Sequence, residues 1–487
     1  MNIKKPPFIA FAILSLIYLF PIIKADRYFI DDYNRSVLGY LSWSDNGRPL
    51  ADVVMTMLNF NTTISDISPL TQLMGVASLA IILLLIMQSG SPGIAQSVAC
   101  ALCVLVNPFM LETLSYAYDS LPMLLSIACV CAPFCIHLKN SFFSFIIHFL
   151  FILASLCLYQ ASISIYVIFA IFSYIAKDNK NSDGLKSLIT NGVAFISGYI
   201  VYSKFIAKYF IAGGYSLIRA EFIDFSTAGA ITRFAKNIVK YYDFLMLGFP
   251  APFMLISVSI IVIGILGLVL RSIAFLNGSN IYSRLACLIT LTSPIIIILM
   301  VLAPLSILAN PPVMSRVLAS TGVVMMFFMF YAFRVNYKPV KILSSLLVVL
   351  FMIYSYSSVY AYGNAQKKQK DFEAYTINLM QSDISRSNIK VIDMYGTAPT
   401  SPVSSLIVGH HPLMAWMVLS NITFRDEWRT NITLSNFRFP VKYKSGSFHG
   451  DIKNPSCELM LQRYNGLYTL FESDGVMLFY FKDICSN

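Results

Sequence analysis

The sequence predicts a polytopic α-helical membrane protein of about 11 transmembrane helices, with a small C-terminal α/β domain outside the cytoplasm. Of the 487 residues, 57% are hydrophobic and only 12% are charged, and the mean hydropathy is +0.69. Apolar runs of about 18 residues or more recur along the chain, and each can cross about 30 Å of hydrocarbon as a helix. This composition excludes a soluble protein of several globular domains.

The predicted spans are the apolar segments between polar turns. The first follows Lys4 and Lys5 and lacks a small-residue cleavage site after it, so it is interpreted as a helix and not as a removed signal peptide. The spans are placed at 8–23, 68–88, 94–111, 121–137, 142–159, 161–176, 187–207, 251–270, 285–308, 317–333 and 342–360.

The distribution of basic residues predicts the orientation. Lys4 and Lys5 favour a cytoplasmic N-terminus under the positive-inside rule. The loops that would share that side are also basic, through Lys139, Lys177, Lys180, Lys186, Arg271, Arg284, Arg334, Lys338 and Lys341. An odd number of crossings then places the loop 24–66 and the C-terminal region on the opposite, non-cytoplasmic side.

Two domains are predicted. Residues 1–361 form the multi-span domain, with an outer loop at 24–66 and a second at 212–250, where aromatic residues at near-helical spacing predict an amphipathic helix lying in headgroups. Residues 362–487 have ordinary globular polarity and form the outer domain. Its runs NITLSNFRFPVKYKSGSF and YTLFESDGVMLFYFKD are interpreted as strands with Gly, Asn and Asp turns.

Charge and cysteine content indicate which binding partners and cross-links to expect. The net charge of +11 is scattered among apolar segments without a nucleic-acid-binding module, so an anionic lipid or phosphate explains it more simply. Seven cysteines lie in or beside apolar segments as small hydrophobes, and a metal site is not indicated. Cys457 and Cys485 lie in the polar C-terminal region, where a disulfide can form if that region is outside the cytosol.

Charged residues collect on the predicted outer face. Asp31, Asp32, Arg35 and Arg48 lie in the first loop, DRYFIDDYNRSVLGYLSWSDNGRPL, where neighbouring carboxylates with different pKa values would suit acid–base chemistry. A juxtamembrane loop charged because it lies in headgroups is the alternative. His410 and His411 are assigned to the surface.

Three short turns add further candidates. Glu112 and Asp119 lie in NPFMLETLSYAYDS, where a solvated turn or a salt bridge is the alternative to a catalytic role. Arg316 follows NPPVMS and is either a phosphate clamp or a snorkelling side chain at a helix end. Gln160 lies between two spans and is a substrate ligand or, more simply, a hydrogen-bond partner between helices.

Several motifs in order resemble the bacterial and bacteriophage O-antigen serotype-converting glucosyltransferases. They are IDDYNRS…W…NGRPL, NPFMLETLSYAYDS, LYQASIS and PPVMSR, and they cover most of the membrane part but little of the C-terminal domain. The resemblance implies a multi-span glycosyltransferase of the bacterial inner membrane with a periplasmic active-site face. The implied donor is undecaprenyl-phosphate glucose, the acceptor is O-antigen, and no further cofactor is expected.

The resemblance also implies roles for particular residues. An acidic residue after the first helix serves as base in related multi-span transferases, which points to Asp31 or Asp32 without separating them. Glu112 and Asp119 would orient the acceptor or the base. A transporter or flippase of a lipid-linked sugar remains an alternative, although its charges would lie nearer the bilayer midplane. An O-antigen polymerase is a further alternative, against which the carboxylate-rich first loop argues.

Overall fold

A computed structural model describes residues 5–88, 93–136, 138, 140–177, 181–212, 214–278, 280–385, 387 and 389–485. Lys4, Lys139 and Lys180, which entered the topology prediction, lie outside these residues. The chain divides into two compact units. Unit 1 comprises Met1–Phe20 and Tyr40–Val359, and unit 2 comprises Pro21–Gly39 and Tyr360–Asn487. The predicted outer loop 24–66 is thus divided, with its first part in unit 2.

Helices account for most of the described chain. In order they are α1 (Lys5–Ala25), α2 (Asp31–Leu38), α3 (Pro49–Asn59), α4 (Leu70–Gln88), α5 (Ile94–Leu105), α6 (Met110–Ser115), α7 (Ser120–Cys131), α8 (Ser141–Leu158), α9 (Ile163–Ala176), α10 (Ser182–Val201), α11 (Lys208–Phe210), α12 (Gly214–Ala220), α13 (Ala230–Met246), α14 (Ala251–Leu276), α15 (Ile281–Ser306), α16 (Ser320–Phe333), α17 (Lys338–Ser385), α18 (Pro402–His410) and α19 (Glu427–Asn436). A π-helical turn, Tyr202–Ala207, joins α10 to α11.

Within the described residues, eight helical segments are long and apolar enough to cross a membrane. They contain α1, α4, α8, α10 with α11, α14, α15, α16 and α17, and three shorter apolar helical segments contain α5, α7 and α9. Each predicted span therefore coincides with an apolar helix. A helical membrane protein is the class that these helices define, and the number of crossings stays a prediction.

Helix α16 forms the centre of unit 1. All of its residues from Ser320 to Phe333 are buried, and it packs against α14 and α5. At Gly267 of α14, an added Cβ would lie 2.2 Å from the carbonyl oxygen of Tyr331. Because only glycine permits that approach, the two backbones meet closely, as is common between apolar helices that lack a hydrophobic driving force for association.

The amphipathic helix predicted within 212–250 is present as α13. Its Asn237 is buried, and the side-chain amide donates to the carbonyl oxygens of Ser306 at 3.1 Å and Leu308 at 2.9 Å. Ile231 and Tyr242 on other faces are exposed. These bonds attach α13 to the end of α15, while its position in a headgroup layer stays a prediction.

Unit 2 contains a mixed five-stranded sheet of order β2-β1-β5-β4-β3. Strand β1 is parallel to both of its neighbours, β2 and β5, and the other pairs are antiparallel. The strands are β1 (Val391–Tyr395), β2 (Lys442–Tyr443), β3 (Met460–Gln462), β4 (Thr469–Ser473) and β5 (Val476–Tyr480). Strands β4 and β5 lie in YTLFESDGVMLFYFKD, which the sequence predicts to form strands and turns, and Asp474-Gly475 turns between them with positive φ at both residues.

One strand prediction is wrong. The NITLSN part of the run 431–448 belongs to helix α19, and only Lys442–Tyr443 in that run forms a strand. The Asp426 carboxylate accepts the Arg429 N–H and caps the helix start. A satisfied N-cap stabilises the first turn, and here it outweighs the β-propensity of the following Ile and Thr residues.

The last turns of α17 and a disulfide complete unit 2. Ile377, Met380 and Ile384 enter its main apolar core, so the helix continues well beyond the predicted span end at residue 360. Cys457 and Cys485 form a disulfide with their Cα atoms 5.9 Å apart. The seven remaining cysteines are free, and six of them are buried.

Candidate active site

A tight turn at Trp43–Arg48 organises the polar groups of unit 1. Asp52, in the first turn of α3, accepts the backbone N–H groups of Trp43 at 3.0 Å and Ser44 at 2.8 Å. Gly47 has φ +73°, where side chains are disfavoured. Sequence reasoning missed Asp52, although an Asp just after a proline at a helix start is a recognisable N-terminal signal.

Gln160 ties this turn to two helices. Its amide nitrogen donates to the carbonyl oxygen of Asn46 at 2.9 Å and contacts the Tyr202 hydroxyl at 2.7 Å. An added Cβ at Gly47 would lie 2.6 Å from the Tyr202 hydroxyl oxygen. Tyr202 opens the π-helical turn after α10, a distortion that often occurs at functional sites and that the sequence does not reveal.

Arg48, at the end of the turn, has only part of its guanidinium in hydrogen bonds to the described residues. The Nε donates to Oε1 of Gln160 at 3.1 Å, and the guanidinium carbon lies 4.7 Å from the centre of the Tyr159 ring. Within the described residues, its two terminal nitrogens have no hydrogen-bond partner. Gln160 therefore orients Arg48, while its role in substrate binding stays a prediction.

Glu112, which is buried, pairs with the partly buried Arg316. Glu112 lies on the buried helix α6, and its carboxylate accepts the backbone N–H of Arg316 at 2.9 Å and lies 3.5 Å from the Arg316 Nε. The guanidinium also donates to the Tyr116 hydroxyl and lies over that ring. The salt bridge considered for Glu112 is present, and Arg316 is held by protein groups on several sides.

Asp119 is the second buried carboxylate. It lies 4% exposed at the start of α7, and its Oδ1 accepts the indole N–H of Trp43 at 2.6 Å. Trp43 is itself 1% exposed. This bond joins the W…NGRPL motif to the SYAYDS motif, so two sequence motifs that are 76 residues apart share one contact.

Contacts of the Trp43–Arg48 turn relate these groups. Trp43 bonds Asp119, and Arg48 bonds Gln160 and lies over the Tyr159 ring. Glu112 lies in the same short segment of the chain as Asp119 and pairs with Arg316. Unit 1 brings together five of the predicted residues, namely Arg48, Glu112, Asp119, Gln160 and Arg316.

The three remaining predicted residues lie on α2 in unit 2. Asp32 is fully buried, and its Oδ2 accepts the Phe29 N–H at 3.1 Å, whereas Asp31 is only partly buried. Arg35 is also buried. Ile30, just before them, has φ +41°, an outlier for a β-branched residue. Such strain persists where surrounding structure enforces it, and it concentrates at active sites.

A buried ion pair holds the chain just before α2. The Arg27 Nη2 lies 2.9 Å from Oε1 of Glu373, and each side chain is 4% exposed. The same Glu373 oxygen accepts the Asn421 N–H at 2.9 Å. Burial alone would lower the pKa of Arg27, but the negative charge of Glu373 helps to raise it above its ordinary value, and burial raises the pKa of Tyr33 to about 12. Sequence reasoning assigned no role to this pair.

Two further sequence assignments concern histidine and metal. His410 is exposed and His411 partly buried at the end of α18. In the described part of the chain, no group of three or more His, Cys, Asp or Glu side chains is placed to hold a metal ion.

The fold and these contacts define a class of protein, a helical membrane protein that holds carboxylate and arginine side chains next to its apolar helices. The family model described as Glucosyl transferase GtrII matches residues 20–333, which include all the predicted catalytic and substrate-binding residues. The chain belongs to this family, and it is therefore a glycosyltransferase.

A curated relative extends the similarity beyond the matched residues. The chain is 33% identical over 456 residues to an uncharacterized 55.3 kDa protein in the gtrB 5' region of Salmonella phage P22, covering 89% of this chain and 92% of the relative. No solved structure matches the chain. The similarity therefore reaches into unit 2, beyond the end of the family match.

Proposed function

We propose that this glucosyltransferase transfers glucose from undecaprenyl-phosphate glucose to a hydroxyl of lipopolysaccharide O-antigen, the reaction of serotype conversion. Membership in the GtrII family supports glucose as the transferred sugar. The similarity to a phage protein from the gtrB 5' region supports a role in serotype conversion. The observation that carries the chemistry is the orientation of Arg48, whose Nε is bound by Gln160 and whose guanidinium lies over the Tyr159 ring. An arginine held in this way can bind phosphate oxygens through its terminal nitrogens.

The transfer needs one bond to form and one to break. The acceptor hydroxyl oxygen attacks the anomeric carbon of glucose, the bond from that carbon to the phosphate oxygen breaks, and undecaprenyl phosphate leaves. A general base takes the hydroxyl proton, and positive groups stabilise the charge on the leaving phosphate. We assign the proton to Asp31, because it is only partly buried whereas Asp32 is fully buried.

Arg48 is the preferred phosphate ligand. Its Nε is occupied by Gln160, which orients the terminal nitrogens for two parallel bonds to phosphate oxygens. Arg316 is held by Glu112 and Tyr116, so we assign it the lesser role of offsetting charge. Arg35 is buried and is the least suited of the three.

The location is also a proposal. We place residues 24–66 and residues 362–487 on the periplasmic side of the bacterial inner membrane. The basic loops predicted for the cytoplasm and the Cys457–Cys485 disulfide support this, since disulfides persist in oxidising compartments.

The function and the location are tested together in cells that supply undecaprenyl-phosphate glucose. Expression of the chain should increase the mass of each O-antigen repeat by one hexose, and linkage analysis should identify the acceptor hydroxyl. Reporter fusions at Ser44 and Ser445 should both be exported. Unchanged polysaccharide with donor accumulating on one leaflet would contradict the transferase, and a cytoplasmic reporter would contradict the location.

Replacement of Arg48 by alanine should raise the KM for the lipid-linked donor more than it lowers kcat, because the residue binds phosphate in donor and transition state alike. Arg48→Lys should recover little, since an ammonium cannot make the parallel bonds. Kinetics in donor-containing vesicles provide the measurement. The matched control is Lys186→Ala, which removes an exposed positive charge near the start of α10, about 24 Å along the helix from Tyr202, and should leave the donor KM unchanged.

A further inference from the structure

A long uncharged stretch stands out in unit 2. Residues 396–424 contain no Asp, Glu, Lys or Arg, although Arg425, Asp426 and Glu427 follow at once. The middle of the stretch forms α18 and a 3-10 turn, Pro412–Trp416. We name residues 402–416 the apolar hairpin.

The apolar hairpin exposes large apolar side chains. Val403 is 45% exposed, Leu406 65% and Trp416 56%, whereas Leu413 and Met414 of the same hairpin are buried. An exposed group of this kind marks a surface that is covered by something other than water.

Hydrogen bonds to α17 give the direction of the hairpin. The Ser401 N–H donates to Oε1 of Gln369 at 2.9 Å, and the Ser404 hydroxyl donates to the carbonyl oxygen of Ala365 at 2.8 Å. Moving forward along α18 therefore means moving backward along α17. Helix α18 therefore runs towards the level of Tyr362, where the apolar part of α17 ends.

The distance to that end is short. A helix rises about 1.5 Å per residue, so Ala365 lies about 5 Å beyond Tyr362, and Leu406 lies about 3 Å past Ser404 in the returning direction. The headgroup layer on each side of the hydrocarbon is about 5–8 Å thick. Leu406 therefore lies at the depth where a membrane-spanning α17 would leave the hydrocarbon.

We propose that the apolar hairpin, residues 402–416, is a membrane-contacting surface whose occupant is the boundary between headgroups and acyl chains. Its composition fits that layer, because it combines exposed aliphatic side chains with a Trp, the residue enriched at the membrane–water interface. The inference goes beyond the proposed sugar transfer and does not depend on it.

Tryptophan quenching tests the proposal in the full chain, which has three tryptophans. Trp43 is buried and stays in both variants as a common background. Trp428→Phe keeps Trp416, and the matched variant Trp416→Phe keeps Trp428, which is 50% exposed beside Asp426, Glu427 and Arg429. Both proteins are reconstituted in phosphatidylcholine vesicles with plain or brominated acyl chains.

Brominated lipid should quench the protein that keeps Trp416 at least about twofold more than the protein that keeps Trp428. Leu406→Asp, added to the Trp428→Phe variant, should reduce that excess. Equal quenching of the two tryptophan variants would overturn the proposal. A protein partner or a second copy over the hairpin would also shield Trp416 from brominated lipid and produce that negative result.

Discussion

Replacement of Asp31 by asparagine is expected to lower the rate of glucose transfer by about 10²–10⁴-fold, the usual cost of losing a general base. The variant keeps nearly the same shape but cannot take the acceptor proton. The protein level and membrane insertion should remain at those of the parent chain. The measurement is hexose addition per molecule of folded enzyme in vesicles that contain donor and acceptor.

Asp32→Asn and Asp119→Asn are the matched variants. Asp32 is fully buried against the Phe29 N–H, so its replacement should lower the amount of folded protein more than the rate of each folded molecule. Asp119→Asn should reduce the rate through its contact with Trp43. A nearly unchanged rate in Asp31→Asn, with loss of activity in Asp119→Asn, would move the base to unit 1.

Arg27→Met is expected to destabilise unit 2 by about 3–5 kcal/mol, because removing one partner leaves the charge of Glu373 buried and unpaired. Adding Glu373→Gln should recover much of that loss. The amide is neutral, and its oxygen can still accept the Asn421 N–H. The measurement is the temperature at which residues 362–487 become susceptible to limited proteolysis during thermal unfolding.

Lys370→Met is the control for this experiment. The Lys370–Asp26 ion pair, 2.7 Å long, has side chains that are 43% and 85% exposed. Water already screens such a pair, so its loss should change stability little. If Arg27→Met unfolded at the same temperature as Lys370→Met, the buried pair would not be the contact that holds α2 in unit 2.

Periodicity and composition determined the local features of this protein. Long apolar runs placed the long apolar helices, since an uncharged stretch of that length has few other stable forms. The same local information predicted the strands that form β4 and β5 and brought Glu112, Asp119 and Arg316 into view. The strand prediction was wrong for NITLSN, because the Asp426 N-cap stabilises the start of helix α19 there.

Only the tertiary structure decided which of these charges are paired. Arg27 and Glu373 are 346 residues apart, and Arg316 and Glu112 are 204 apart, so no local pattern relates them. It also separated two adjacent aspartates, by burying Asp32 and leaving Asp31 partly exposed. The physical reason is that burial and pairing depend on which side chains meet after folding, whereas hydropathy and spacing describe only neighbours along the chain.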